Sequence, residues 1–129
     1  MNIAQYIGRK YSVPDCDCWS LIREFSIKEL DRWMPQYMYS IDHNESDAAV
    51  LMHTETALGA NWVRVSSEEL EAGDVILFRI KGAVCHAGLY IGKGDFLHTL
   101  KGRNSALENL RDGNWRQRIF GFFRYHNGN

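Results

Sequence analysis

The sequence predicts an α+β fold in which helices come first and an antiparallel sheet follows. A segment that begins near Asp15 repeats its apolar residues every three or four positions, which is the period of a helix that buries one face. The second half contains short runs of branched and aromatic residues separated by glycine, lysine and aspartate, which is typical of strands joined by tight turns. Because 129 residues suffice for one domain with its own core, we predict a single domain over 1–129.

The first long helix is predicted to begin at Asp15 and to run to about Trp33. Asp15 is the predicted N-cap, since its side chain can accept from the first backbone N–H groups, and Pro35 limits the end of the helix. The apolar residues of the segment form one stripe: Cys18, Leu21, Ile22 and Phe25.

The remaining elements follow from turn residues and strand-like runs. A helical turn is expected within 1–14, and a second helix over 45–58, ended by Gly59. Trp62–Val65 is predicted to be extended. Four further strands are predicted at 73–80, 86–92, 95–100 and 118–125, and GKGD at 92–95 predicts a tight hairpin turn.

Charge and hydropathy restrict the classes of function. The net charge is −1 and the pI is about 6.5, with no basic run, so we expect no nucleic-acid partner. No segment approaches the roughly 18 apolar residues of a membrane span, so no membrane insertion is expected. The N-terminus lacks a signal-peptide pattern, which predicts synthesis in the cytoplasm without a leader. Three cysteines, an odd number, favour thiols in a reducing compartment over a disulfide framework.

Cys18 is the candidate nucleophile. The positive end of a helix favours the thiolate, which is the reactive form, but the neighbouring Asp17 opposes that effect. A nucleophilic cysteine here would therefore need a histidine partner. The alternative is that Cys18 is simply a small buried residue on the helix stripe.

His86 and His98 are the candidate partners. They lie on successive predicted strands across the 92–95 turn, which brings them close together, so that one ring can orient the other. Catalysis by these residues requires the sulfur of Cys18 to lie within hydrogen-bond reach of His86. The other three histidines are interpreted as surface or packing residues: His43, His53 and His126.

Two other uses of the cysteines remain open. A zinc site could draw on Cys16, Cys18, Cys85, His86 and His98, but C-x-C is tighter than the usual metal clip. Adjacent Cys85 and His86 on a strand are also expected to point to opposite faces. A Cys16–Cys18 redox pair lacks the C-x-x-C spacing of thiol oxidoreductases. We predict no metal and no cofactor.

A family resemblance rests on four blocks of the sequence. The blocks resemble motifs of the NlpC/P60 cysteine peptidases: DCWSLIREF (17–25), LEAGDVILF (70–78), HAGLYIGKGDFLHT (86–99) and WRQRIFGFFRY (115–125). The last block is similar to the closing strand of the branch encoded by tailed bacteriophages. Together they cover most of the chain apart from about 27–60.

The resemblance implies a papain-like fold in which a nucleophile helix packs on a small antiparallel sheet. It implies Cys18 as nucleophile, His86 as general base and His98 as the residue that orients and polarises it. Substrate binding or support of the site falls to residues beside the nucleophile: Cys16, Asp17, Trp19 and Ser20. Many members have tyrosine at the position of Cys16 and glycine at that of Ser20.

The resemblance also implies a substrate and a setting. Family members hydrolyse amide bonds in peptidoglycan stem peptides, and the phage branch suggests a tail-associated cell-wall hydrolase or tail-assembly component. The implied partners are peptidoglycan peptides and other phage tail proteins, and the implied location is the virion or the host cell wall. The alternatives are a structural tail or assembly protein with a degenerate site, and an amidase or acyltransferase of the same fold.

Overall fold

A six-stranded antiparallel sheet is the framework of this computed structural model, which describes residues 1–12, 16–35 and 62–126. The strands run in the order β1-β6-β2-β3-β4-β5 across the sheet. Their bounds are β1 Trp62–Val65, β2 Val75–Ile80, β3 Ala83–Gly92, β4 Asp95–His98, β5 Ala106–Asn109 and β6 Ile119–Tyr125. The described helical segments are α1 Cys18–Glu29, a single turn Gly113–Arg116 and two 3-10 turns, Ala4–Tyr6 and Ser67–Glu69. The predicted α+β class is confirmed.

The start of α1 corrects the predicted N-cap. Asp17, two residues after the predicted Asp15, caps the helix: its Oδ1 accepts from the backbone N–H of Ser20 at 2.9 Å and from the Ser20 hydroxyl. Ser20 Oγ in turn accepts from the backbone N–H of Asp17 at 3.2 Å, which completes a capping box. Asp15 itself lies outside the described residues.

The end of α1 comes at Glu29, earlier than the predicted Trp33. Asp31 adopts a left-handed backbone with φ +51°, and the N–H of Arg32 bonds back to the carbonyl of Ser26 at 2.9 Å. This arrangement satisfies a terminal carbonyl and turns the chain out of the helix, so Pro35 is not what stops it.

The predicted strands are confirmed, together with the hairpin turn between β3 and β4. Lys93 and Gly94 have φ of +56° and +83°, the values that a two-residue type I′ turn requires. β5 was not predicted, because ALEN lacks an alternating run of branched residues; its pairing with β4 defines it. The predicted helix over 45–58 and its stop at Gly59 lie outside the described residues.

The sheet has a different apolar cluster on each face. One cluster contains the buried residues of α1, including Cys18, together with Leu77 and Leu89. The second contains Ile76, Phe78, Phe96 and Trp115. Successive residues of a strand alternate between faces, so β2 and β3 contribute to both clusters.

A β-bulge interrupts the pairing of β2 with β3. Phe78 pairs with His86, but the next residue, Arg79, pairs with Val84, so that Cys85 is the extra residue. Cys85 nevertheless packs against the cluster under α1, whereas His86 stacks on Phe78 of the second cluster, so the two side chains lie on opposite faces. None of the described helices is long and apolar enough to cross a bilayer.

Candidate active site

Cys18 is the first residue of α1, where the capped helix presents its positive end. Its side chain is fully buried, and the neighbouring Cys16 and Trp19 are nearly so. Burial raises the pKa of the Cys16 thiol, which disfavours its thiolate. Asp17 is engaged in the capping box, so its structural role is the N-cap. The three cysteines form no disulfide.

His86 and His98 are in direct contact across the β3–β4 hairpin. Nε2 of His86 lies 2.9 Å from Nδ1 of His98, a hydrogen bond between two buried rings. The nearness predicted from the hairpin spacing is therefore present in the structure.

Aromatic rings surround this histidine pair. Phe78 stacks on His86 with ring centroids 5.5 Å apart, and Trp115 meets the His98 ring edge-on at 4.6 Å. Gly88 permits the close packing of Phe96, since a Cβ at that position would lie 2.9 Å from the Phe96 ring. These rings pack against both imidazoles and bury them almost completely.

Trp115 was missed by the sequence analysis as part of the site. It belongs to the block that resembles the closing strand, but it lies on the helical turn before β6 rather than in a strand. One sequence feature could have identified Trp115: it is an aromatic residue inside the motif-like block 115–125 but outside the predicted strand 118–125.

The electrostatics of the site keep both rings neutral. Burial lowers the pKa of His86 well below 6.5, and the neighbouring His98 adds to this effect. Burial, with a smaller contribution from Arg103, lowers the pKa of His98 to about 4. Glu108 Oε2, 3.5 Å from His98 Nε2, favours the protonated ring, but the loss of hydration prevails.

Nδ1 of His86 is buried and has no hydrogen-bond partner among the described residues. A hydrogen bond from Cys18 to this atom, the contact that the catalytic hypothesis requires, is therefore not formed in this structure. Cys18 packs in the cluster beneath α1, whereas the histidine rings pack with the aromatic cluster. Helix α1 nevertheless contacts both β3 and β4, the strands that carry the two histidines.

A surface cleft of about 270 Å³ opens beside His86. Its lining includes the thiol-bearing Cys85, Trp115 and three cations, which are Lys101, Arg103 and Arg118. Cys18 is absent from the described lining, and so is any aspartate or glutamate. The cleft is therefore positively charged next to the histidine pair.

Cys85 and His86 both border the cleft, but their side chains pack on opposite faces of the sheet, as predicted: Cys85 against the cluster under α1, and His86 on Phe78 of the second cluster. Within the described ranges, no group of three or more histidine, cysteine, aspartate or glutamate side chains is arranged to hold a metal ion.

Comparison with known proteins identifies the class of protein that has this fold, on which the histidine pair is carried. The model of the NlpC/P60 family matches residues 5–124, and the chain belongs to that family. The solved structure of NlpC1 from Trichomonas vaginalis superposes with a TM-score of 0.63 at 22% identity, covering 95% of this chain and 41% of that one.

Two curated relatives are similar over shorter stretches. "Probable endopeptidase p60" of Listeria grayi is 28% identical over 65 residues, which are 50% of this chain and 12% of that protein. "Murein DD-endopeptidase MepS/Murein LD-carboxypeptidase" of Escherichia coli K12 is 32% identical over 54 residues, which are 42% of this chain and 29% of that protein. The chain thus matches less than a third of the length of either relative.

Proposed function

We propose that this domain is a cysteine peptidase that hydrolyses amide bonds in peptidoglycan stem peptides. In this proposal Cys18 is the nucleophile, His86 is the general base and His98 orients His86. The observation that carries it is the His86–His98 hydrogen bond, which leaves Nδ1 of His86 as a buried nitrogen without a partner. Membership of the NlpC/P60 family and the endopeptidase names of the two relatives support the reaction class.

The reaction proceeds in two steps. Nδ1 of His86 takes the Cys18 proton as the sulfur attacks the scissile carbonyl, and backbone N–H groups at the start of α1 stabilise the oxyanion. The imidazolium then protonates the leaving amine, which departs and leaves an acyl-enzyme. Water, deprotonated by His86, attacks the acyl carbon, and the thiol is regenerated with release of the carboxylic acid.

The resting site favours the neutral imidazole of His86. The lowered pKa of His86 makes its protonated form costly before substrate binds. Catalysis also requires Cys18 and Nδ1 of His86 to come together on substrate binding, as catalytic hydrogen bonds often do only in the complex.

The charge of the cleft supports an acidic peptide as substrate. Lys101, Arg103 and Arg118 line it without a compensating carboxylate among the described lining residues, so it attracts peptides that carry free carboxylates. Stem peptides are of this kind, which agrees with the murein named for the Escherichia coli relative.

Digestion of purified sacculi, followed by mass identification of the fragments, tests the reaction. Cuts within the stem peptide support the endopeptidase, whereas release at the sugar–lactyl group would identify an amidase. Transfer of the acyl group to an added amine would identify an acyltransferase. Products that persist with the His86→Gln variant would show that His86 is not the base.

A second candidate is a non-enzymatic tail or assembly domain with a degenerate site. The burial of Cys18 and the lack of a hydrogen-bond partner at Nδ1 of His86 favour it. Absence of any fragment from sacculi, together with stable binding to a tail protein, would replace the peptidase with this candidate.

The setting is also part of the proposal. We place the domain in a bacteriophage tail, made in the cytoplasm and carried to the host cell wall, on the resemblance of residues 115–125 alone. Mass spectrometry of purified virions tests this placement. Peptides of this chain in tails support it, and their absence from intact particles contradicts it.

A further inference from the structure

Glu108 approaches the histidine pair from β5, the strand that the sequence did not predict. Its Oε2 lies 3.5 Å from Nε2 of His98, on the side of the ring away from His86. The pairing of β4 with β5 explains the approach, because Phe96 pairs with Glu108 and His98 lies two residues from Phe96 on the same face.

A neutral imidazole carries one N–H, so the position of that proton decides what each ring can do. A carboxylate only accepts, and it therefore favours the His98 tautomer with its proton on Nε2. Nδ1 of His98 is then an acceptor, and the proton between the rings belongs to Nε2 of His86. His86 consequently has a lone pair on Nδ1, its buried atom without a partner.

The opposite tautomers are unfavourable at both ends. A proton on Nδ1 of His98 would place the Nε2 lone pair of that ring against the Glu108 carboxylate. It would also put the His86 proton on Nδ1, where no described acceptor meets it and where the atom could not accept a thiol proton.

We propose that Glu108 is a positioning residue that sets the tautomers of His98 and, through it, of His86. The consequence for catalysis rests on the proposed peptidase function, whereas the assignment of tautomers stands independently of any activity. Arg103 also acts on His98, but as a cation it cannot accept the Nε2 proton.

Long-range 15N–1H correlation spectra of the histidine rings at pH 7.5 test the tautomers directly. In the parent, His86 and His98 are expected to show the Nε2–H form. Glu108→Gln replaces the carboxylate by an amide that can donate as well as accept, so a mixture of tautomers is expected at both rings. Glu108→Asp, which keeps the carboxylate, restores part of the preference. Glu68→Gln is the matched control, since Glu68 is an exposed glutamate on the Ser67–Glu69 turn, outside the site.

An Nδ1–H form of His98 in the parent would overturn the proposal. Tautomers that stay unchanged in a folded Glu108→Gln variant would overturn it too, and a dispersed spectrum with an unchanged melting curve establishes that the variant is folded.

Kinetics separate this inference from the proposed function. If the peptidase is real, Glu108→Gln lowers kcat about tenfold with little change in KM, and Glu68→Gln changes neither. If Glu108→Gln changes the tautomers but neither the parent nor any variant cuts sacculi, the proposed peptidase function is wrong and the tautomer assignment stands. If cutting depends on Cys18 but the tautomers are unchanged in Glu108→Gln, the role assigned to Glu108 is wrong and the peptidase function stands.

Discussion

Nε2 of His86 lies 2.9 Å from Nδ1 of His98, and this hydrogen bond directs the other ring nitrogen of His86 into a buried position without a partner. His98 therefore holds the ring of His86 in place. The ring of His98 itself packs against Trp115 and Phe96. The relationship gives the two histidines unequal roles, which substitution can distinguish.

Replacing His86 should reduce activity more than replacing His98. His86→Gln removes the proposed base, and we expect kcat/KM on stem peptides to fall by about a hundredfold or more. His98→Asn keeps a polar group that can still hold His86, so a smaller loss is expected. Equal losses for two folded variants would contradict a base-and-orienter arrangement, and circular dichroism supplies the control for folding.

The buried histidines should make the protein less stable as the pH falls from 6.5 towards 4. The pKa of His98 is about 4 in the folded state and near 6.5 when unfolded, so the unfolded chain binds the extra proton in this window. Stability is fully present above pH 6.5 and falls by up to about 3 kcal/mol from this group by pH 4. Urea unfolding of the parent and of His98→Asn measures the slope. The variant should show a shallower one, and identical slopes would contradict a neutral buried His98.

Arg124 should be required for stability, because it neutralises a fully buried carboxylate. Its Nε and one terminal nitrogen each lie 2.8 Å from the Asp74 oxygens, and Asp74 raises the Arg124 pKa. Arg124→Ala should lower the free energy of unfolding by about 3 kcal/mol, since it leaves that charge buried without its partner. Arg64→Ala is the control on the neighbouring strand: Arg64 donates to the backbone carbonyl of Phe120 and lies over the Phe120 and Phe123 rings, but it forms no ion pair among the described residues, so a smaller loss is expected. A change in the free energy of unfolding below about 1 kcal/mol for Arg124→Ala would contradict a stabilising Arg124–Asp74 ion pair.

The cations of the cleft should contribute to substrate affinity. Lys101→Gln should raise KM for acidic stem peptides about two- to fivefold with kcat unchanged, as expected for one exposed ion pair. The effect should shrink as salt is added. Lys10→Gln, an exposed change outside the described cleft lining, is the control. A KM that changes neither with Lys101→Gln nor with added salt would show that acidic groups do not bind in this cleft.

The sequence predicted the features that depend on local pattern. The helical stripe of α1, the apolar runs of the sheet and the turn residues of the hairpin all follow rules that act over a few residues. The nearness of His86 and His98 is a consequence of that hairpin, and so it could be predicted as well.

The sequence could not predict features that depend on tertiary context. β5 is a strand because β4 pairs with it, and Trp115 joins the site because the Gly113–Arg116 turn folds over His98. The N-cap at Asp17 depends on a reciprocal bond with Ser20, which the spacing of the apolar residues does not specify. The β-bulge at Cys85 shifts the register between β2 and β3, and the alternation of residue types in the sequence does not predict it.

The proposed nucleophile that acts with His86 is the sulfur of Cys18, rather than that of Cys85 in the cleft. The most direct test compares fragment release from purified sacculi by the parent, Cys18→Ala and Cys85→Ala, with melting curves to show that each is folded. We predict that Cys18→Ala releases no fragments above background and that Cys85→Ala releases the parental set. Parental fragments from Cys18→Ala, or their loss only in Cys85→Ala, would contradict the assignment of Cys18 as the nucleophile.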